Sequence, residues 1–226
     1  MEDSADATPE AGKAVRLQHL LVHANPSADS FGHAIVNAYV DTVRGLGQDV
    51  VVRDLYAMKF DPVLQAQERP GSDHWTASPD VAPELDLVNA ADILVLVYPI
   101  WFGLPPAILK GYVDRVLGAN YSFHEFASQA GRPGLAGKPL LSFSTSGAPL
   151  SWLNEQGQPL SLREIFDVYL WRGFCMKQSE HVMIESVVPN MSAAYAAQQL
   201  QRVREVANRT SLKLAGMDVG PVAFEA

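Results

Sequence analysis

The chain has 226 residues, 48% of them hydrophobic, a formal net charge of -8 and a single cysteine. That length suits one large domain rather than two small ones, with ample apolar side chains for a core. The acidic balance speaks against a nucleic-acid backbone or an anionic membrane as partner, and one cysteine excludes a disulfide framework or a cysteine-rich metal centre, so no metal site is expected.

Residues 1–14 open Met-Glu-Asp-Ser-Ala-Asp and lack the basic-then-apolar order of a signal peptide. They are expected to be a disordered leader to a cytoplasmic protein, and no apolar stretch reaches the length of a membrane span. Val15 to His23, with Leu20-Leu-Val22, reads as the first strand. After the turn-rich Ala24–Asp29, Ser30 is a good N-cap for a helix to about Leu46, whose apolar face is Ile35, Val36, Tyr39, Val40 and Val43. Gly45 and Gly47 stop it, and Gln48–Arg53 is the second strand. Strand, helix, strand is a right-handed crossover, and its first loop meets a helix N-terminus whose free N–H groups suit an anion. Asn25 to Phe31 is therefore a candidate phosphate site, although any such turn offers the same groups and no phosphate-loop or dinucleotide glycine fingerprint is present. Asp54-Leu-Tyr56 reads as a structural turn, Gln65 to Pro83 as a polar excursion over the surface, and Pro83 to Ala91 as a short helix.

The chain is organised around the next stretch. Asp92–Tyr98 is a continuous apolar run, as in a parallel strand buried on both faces. Pro99, which has no N–H for the ladder, ends it. Ile100, Trp101, Phe102 and Gly103 then form a loop, and Pro105-Pro106 opens a helix with Leu109, Val113 and Val116 on its inner face. In open α/β sheets the carboxyl end of a central strand is where ligands bind; the plainer alternative is that Trp101 and Phe102 plug the top of the core. Further on, Lys138–Ser144 is a fourth strand that runs into the small residues Thr145-Ser-Gly147, which let backbone N–H groups approach a planar ligand. Trp152 and Gln158 fall in the loop after it, Pro159–Gly173 is mostly helical, His181–Ile184 is a fifth strand, and a last amphipathic helix follows Ser192. Cys175, in an apolar setting, is expected to be a small buried thiol.

Tyr98-Pro-Ile-Trp-Phe-Gly-Leu-Pro-Pro-Ala-Ile-Leu-Lys-Gly-Tyr-Val-Asp-Arg115 resembles the matching segment of the flavodoxin-like NAD(P)H:quinone oxidoreductases, the DT-diaphorase family. The resemblance runs from about Leu17 to Arg209. It implies a single doubly wound α/β domain over 15–215, followed by a C-terminal tail over 216–226, with a five-stranded parallel sheet in the order 2-1-3-4-5. It also implies a bound flavin, FAD or alternatively FMN, with NAD(P)H as electron donor. His23 and Ser30-Phe31-Gly32 match the family's phosphate and ribityl contacts, with Gly32 where the family has Asn. Pro99, Ile100, Trp101, Phe102 and Gly103 match the loop along the flavin ring. Ser144, Thr145, Ser146 and Gly147 match the Thr-Thr-Gly-Gly segment on its pyrimidine side. Tyr121 and Phe123 fall where family aromatics line the substrate pocket, often across a dimer interface, so a homodimer is expected.

Trp152 and Gln158 stand where the family carries a Tyr and a His that relay a proton. Neither is an acid or base at neutral pH, so no catalytic side chain is nominated. Trp152 becomes a pocket wall and Gln158 a substrate contact. Charge on the flavin must then be stabilised by fixed donors, such as N–H groups near Ser146 and Gly147. The leading expectation is a two-electron, ping-pong oxidoreductase acting on quinone-like, azo or nitro-aromatic acceptors. The alternatives are a flavin-bound regulatory subunit of a potassium-efflux system and a one-electron carrier of the flavodoxin type.

Overall fold

A computed structural model of the protein describes residues 16–217. The expected leader over 1–14 lies outside the described residues, as does the expected tail from residue 218 onward.

Five strands, β1 (Gln18–His23), β2 (Asp49–Asp54), β3 (Ile93–Pro99), β4 (Pro139–Thr145) and β5 (Gln178–Ile184), form one all-parallel sheet in the order β2-β1-β3-β4-β5. This is the expected topology, and its cause is visible in the residues. Every residue of β3 and of β4 is buried, as a strand covered on both faces requires. Helices α1 (Phe31–Gly45) and α8 (Ala193–Leu214) cover one face, where Ile35, Tyr39, Val43 and Val203 meet Leu21, Val95 and Phe143. The other face carries α2 (Ala82–Ala90) and α3 (Ala107–Tyr112), the latter running on as a π-helical turn over Val113–Leu117. There Leu109, Val113 and Val116 are buried against the sheet as their spacing predicts.

Boundaries moved by a few residues. β1 starts at Gln18 rather than Val15, and β5 starts at Gln178 rather than His181. Two short helices were not foreseen, α4 (Phe123–Ala127) and α5 (Leu150–Glu155), while the expected helical stretch to Gly173 is the pair α6 (Gln158–Leu162) and α7 (Tyr169–Gly173) joined by a π-helical turn over Arg163–Val168. Trp152 and Gln158 therefore sit on helices, not on a loop. Cys175 is half-buried rather than buried, with a left-handed backbone (φ 52°) and its thiol against the Gln129 carbonyl.

The excursion between β2 and α2 is pinned from beneath. Arg115, on the π-helical turn, is fully buried and makes paired hydrogen bonds of 2.8 Å to Glu68, with further bonds to Asp80 and the Asp61 carbonyl. Burial alone would raise the Glu68 carboxyl, but the guanidinium and the Ser78 N–H hold it down at about 2. Beside it, Gly111 packs so tightly on Pro62 that a Cβ would lie 2.3 Å from the Pro62 Cα. At the opposite, amino end of the strands, Leu17 and Leu214 line one shallow cleft with Asp92 and Lys177. Among the described residues no helix is long and apolar enough to cross a membrane.

Candidate functional site

At the carboxyl end of the sheet, the loops after β1, β3 and β4 converge on one cavity of about 230 Å³. Asn25, Ser30, Phe31 and Gly32 come from the first loop, Pro99, Ile100 and Trp101 from the second, and Thr145, Ser146 and Gly147 from the third. This is the switch point of the sheet, where β1 and β3 are neighbours and the chain departs to either side. Val187, just after β5, also lines the cavity and was not singled out from the sequence.

One end of the cavity is built for an anion. Ser30 caps α1, its Oγ accepting from the His33 N–H, while among the described residues the N–H groups of Phe31 and Gly32 have no acceptor. Behind them lies a polar chain. His23, at the end of β1 and buried, donates from Nδ1 to the Val97 carbonyl (3.1 Å) and lies 3.2 Å by Nε2 from His33 Nδ1. His33 Nε2 in turn reaches Asp54 (3.0 Å). Burial, and next the neighbouring His33, lower the His23 pKa to about 4, so its ring is neutral at neutral pH. Burial pushes Asp54 up, but N–H donation from Ala57 and His33 outweighs it and keeps the carboxyl below its ordinary value. Gly32 belongs to this arrangement, because a Cβ there would come 2.9 Å from the His23 ring. The three side chains also have metal-ligand chemistry and spacing, but their ring nitrogens are joined to one another and to Val97 by hydrogen bonds. The sequence could not show this chain directly, since Asp54 comes beside His23 only through the parallel register of β1 and β2.

The other end is aromatic and open. Trp101 and Leu104 exchange backbone hydrogen bonds of 2.9 and 3.1 Å, closing a two-residue turn with positive φ at both Phe102 (50°) and Gly103 (87°). Glycine adopts that backbone freely, and phenylalanine rarely does. Phe102 projects fully into solvent and Trp101 is about half exposed, whereas Trp152, on α5 and also about half exposed, does not line the cavity. Gln158, the first residue of α6, donates its Nε2–H to the Gly103 carbonyl at 2.9 Å.

On the third loop the expected donors are fewer. The Ser146 N–H is taken up by the Ile184 carbonyl (2.9 Å), which leaves the Gly147 N–H as the donor of that pair without an acceptor among the described residues. Ser144 faces away from the cavity and is fully buried. Its Oγ meets His181 Nε2 at 2.6 Å, and His181 Nδ1 meets Asp167 at 2.6 Å. The order Ser–His–Asp has the outline of a hydrolytic triad, yet the sealed hydroxyl leaves no room for a substrate. It joins β4 to β5 and to the turn above them.

Tyr121 and Phe123 are not brought to this cavity within one chain. They line a separate apolar groove of about 400 Å³ with Phe126, Phe166 and Tyr169. The Tyr121 hydroxyl is bonded to the Gly173 carbonyl (2.9 Å), while Phe123 is 81% exposed.

Residues 18–207 match the family model described as a flavodoxin-like fold. An uncharacterized NAD(P)H oxidoreductase of Haemophilus influenzae is 36% identical over 148 residues, 65% of this chain and 72% of that protein. NAD(P)H dehydrogenase [quinone] 1 of Cavia porcellus is 32% identical over 147 residues, 57% of this chain and 53% of that one. The match thus spans about half the length of that mammalian relative. Among solved structures, an NAD(P)H:quinone oxidoreductase from Methanothermobacter marburgensis superposes with a TM-score of 0.75 at 23% identity, covering 87% of this chain and 96% of its own. An FMN-dependent NADH-azoreductase of Bacillus anthracis, solved in complex with FMN, gives 0.65 at 14%, covering 86% and 99%. With the sheet order, the switch-point cavity and these matches together, the chain belongs to the flavodoxin-like family that includes the NAD(P)H:quinone oxidoreductases.

Proposed function

We propose that the protein is a cytoplasmic flavoprotein that oxidises NAD(P)H and reduces quinone-like acceptors, azo and nitro aromatics included, in a ping-pong cycle. The observation that carries this reading is the convergence of three loops on one cavity with an anion-ready end and an aromatic end. A flavin has the same polarity, a phosphate tail and a planar ring. The relatives named as quinone dehydrogenases and azoreductases support the acceptor class.

The donor set fits such a group. The Phe31 and Gly32 N–H groups and the positive end of α1 would hold the phosphate, with His23 behind them. The ring would lie along Ile100 and Trp101, and the Gly147 N–H would face its pyrimidine edge, where negative charge grows on reduction. When bound, the flavin supplies the redox chemistry, taking a hydride from the nicotinamide and returning two electrons to the acceptor. The chain's own residues position it, exclude water and fix that one donor. Among the described residues no side chain that lines the cavity is an acid or base near neutral pH, and Trp152 and Gln158 do not supply one. FAD is the expected form and FMN the alternative.

The apolar groove around Tyr121 favours a homodimer. Phe123, Ile165 and Tyr169 at its rim are each more than half exposed, a patch that a second copy would cover while bringing aromatics to the cleft.

The test is the visible spectrum of the purified protein, before and after anaerobic NADH or NADPH. Flavin bands that bleach in one two-electron step support the reading, and chromatography of the heat-released cofactor names FAD or FMN. A protein that stays colourless after incubation with both flavins overturns it. Accumulation of a one-electron state would favour a carrier instead.

A further inference from the structure

The aromatic turn is the least supported wall of the cavity. Its own backbone bonds join only Trp101 to Leu104, Phe102 sits in a left-handed conformation, and its ring packs on nothing. Among the described residues one hydrogen bond reaches the turn from elsewhere, and it comes from Gln158. That side chain is half-buried and starts a helix held by the left-handed Gly157 (φ 65°) before it and Pro159 after it. Its amide therefore arrives from a fixed direction.

We propose that Gln158 is a positioning residue whose amide clamps the Gly103 carbonyl, holding Trp101 against the cavity and the Phe102 tip at its mouth. The part of the proposal that concerns acceptor binding rests on the flavoprotein reading; the clamp itself does not. A carboxamide donates at every accessible pH, whereas an imidazole in the same place would change its donors near neutrality. The clamp is accordingly indifferent to pH, and it replaces proton delivery by fixed geometry.

Amide hydrogen exchange over Ile100–Leu104 in the full chain tests this, with and without added flavin. Gln158→Ala should speed exchange at Trp101 and Leu104 by about three- to tenfold, the range for loss of one neutral hydrogen bond, and leave the β3 and β4 amides unchanged. Gln158→Glu should match or exceed that loss at pH 8, where two acceptors face each other. It should recover protection toward pH 4.5, where the protonated carboxyl donates, while Gln158→Ala does not. The wild type should keep constant protection between pH 5 and 9 once intrinsic rates are removed. In turnover, Gln158→Ala should raise the acceptor KM by a larger factor than it lowers kcat. Unchanged protection in Gln158→Ala, or a Glu variant without recovery, overturns the clamp. A protein that shows the exchange pattern but never binds flavin keeps the clamp and sinks the flavoprotein reading.

Discussion

The two ends of the cavity are made differently. At the anion end, His23, His33 and Asp54 are buried or half-buried, joined in one chain of hydrogen bonds and packed against Gly32 to the point where a single Cβ does not fit there. A second tight cluster lies on the other face of the sheet, where Arg115 closes on Glu68 and Asp80. At the aromatic end, Trp101 and Phe102 face solvent, the backbone is strained, and one side-chain amide ties the turn down. The first construction suits a group that binds once and stays. The second suits molecules that must enter and leave, because local openings cost least where few contacts are buried.

Variants can sharpen or break this contrast. The largest effect is expected at Arg115→Ala, which leaves Glu68 buried without its partner. Urea unfolding should show a loss of about 3–5 kcal/mol, and a loss below about 1 kcal/mol would mean that the anchored side is looser than its geometry.

Acid should find the same side. The Glu68 carboxyl, at about 2 in the folded chain against an ordinary 4.5, contributes stability that is full above pH 4.5 and lost as pH falls toward 2, about 3 kcal/mol in all. The His23 ring, lowered to about 4 from 6.5, favours the unfolded state as protons bind there first, so stability is full above pH 6.5 and falls between 6.5 and 4. Unfolding free energy measured against pH should therefore decline in two overlapping stages. His23→Gln should shrink the upper stage and leave the lower one, the remainder of the upper stage coming from buried His19, whose pKa is also lowered by burial.

Next in size, His23→Ala should weaken flavin binding by about three- to tenfold, because both ring nitrogens are engaged within the chain and the ring supports Gly32 and His33 from behind. Fluorescence quenching of free flavin reads it directly. The smallest effect is expected at the rim. Phe102→Gly relieves the left-handed backbone and should stabilise the chain by about 0.5 to 1 kcal/mol, while the acceptor KM rises. Destabilisation there would show that the Phe102 ring packs in solution and that the rim is not open.

The anchored parts divide sharply in how far they could be read from sequence. The buried runs of β3 and β4, the Ser30 cap and the start of the last helix at Ser192 were legible because each depends on residues close in the chain, whereas the sheet order came from the family resemblance. The α4 helix carried a readable sign, as Ser122 and Glu125 form a capping box. The Arg115 cluster had none, since Glu68 and Asp80 lie 47 and 35 residues away in a polar segment that reads as surface. The cavity was legible loop by loop. Which N–H groups stay free was not, because the Ser146 N–H is claimed by Ile184 on the neighbouring strand. The Gln158 bond escaped for a similar reason, as periodicity says nothing about which carbonyl a glutamine will meet 55 residues back.

Leu17 and Leu214 share a cleft at the amino end of the strands, across the whole depth of the sheet from the cavity. A short linker between them would permit circular permutation, with new ends opened in an exposed stretch such as that around Gly71. Tethered to an electrode or a bead through either of these positions, the molecule would turn its cavity toward the solution. An immobilised form should then keep its access to dissolved reductant and acceptor alike.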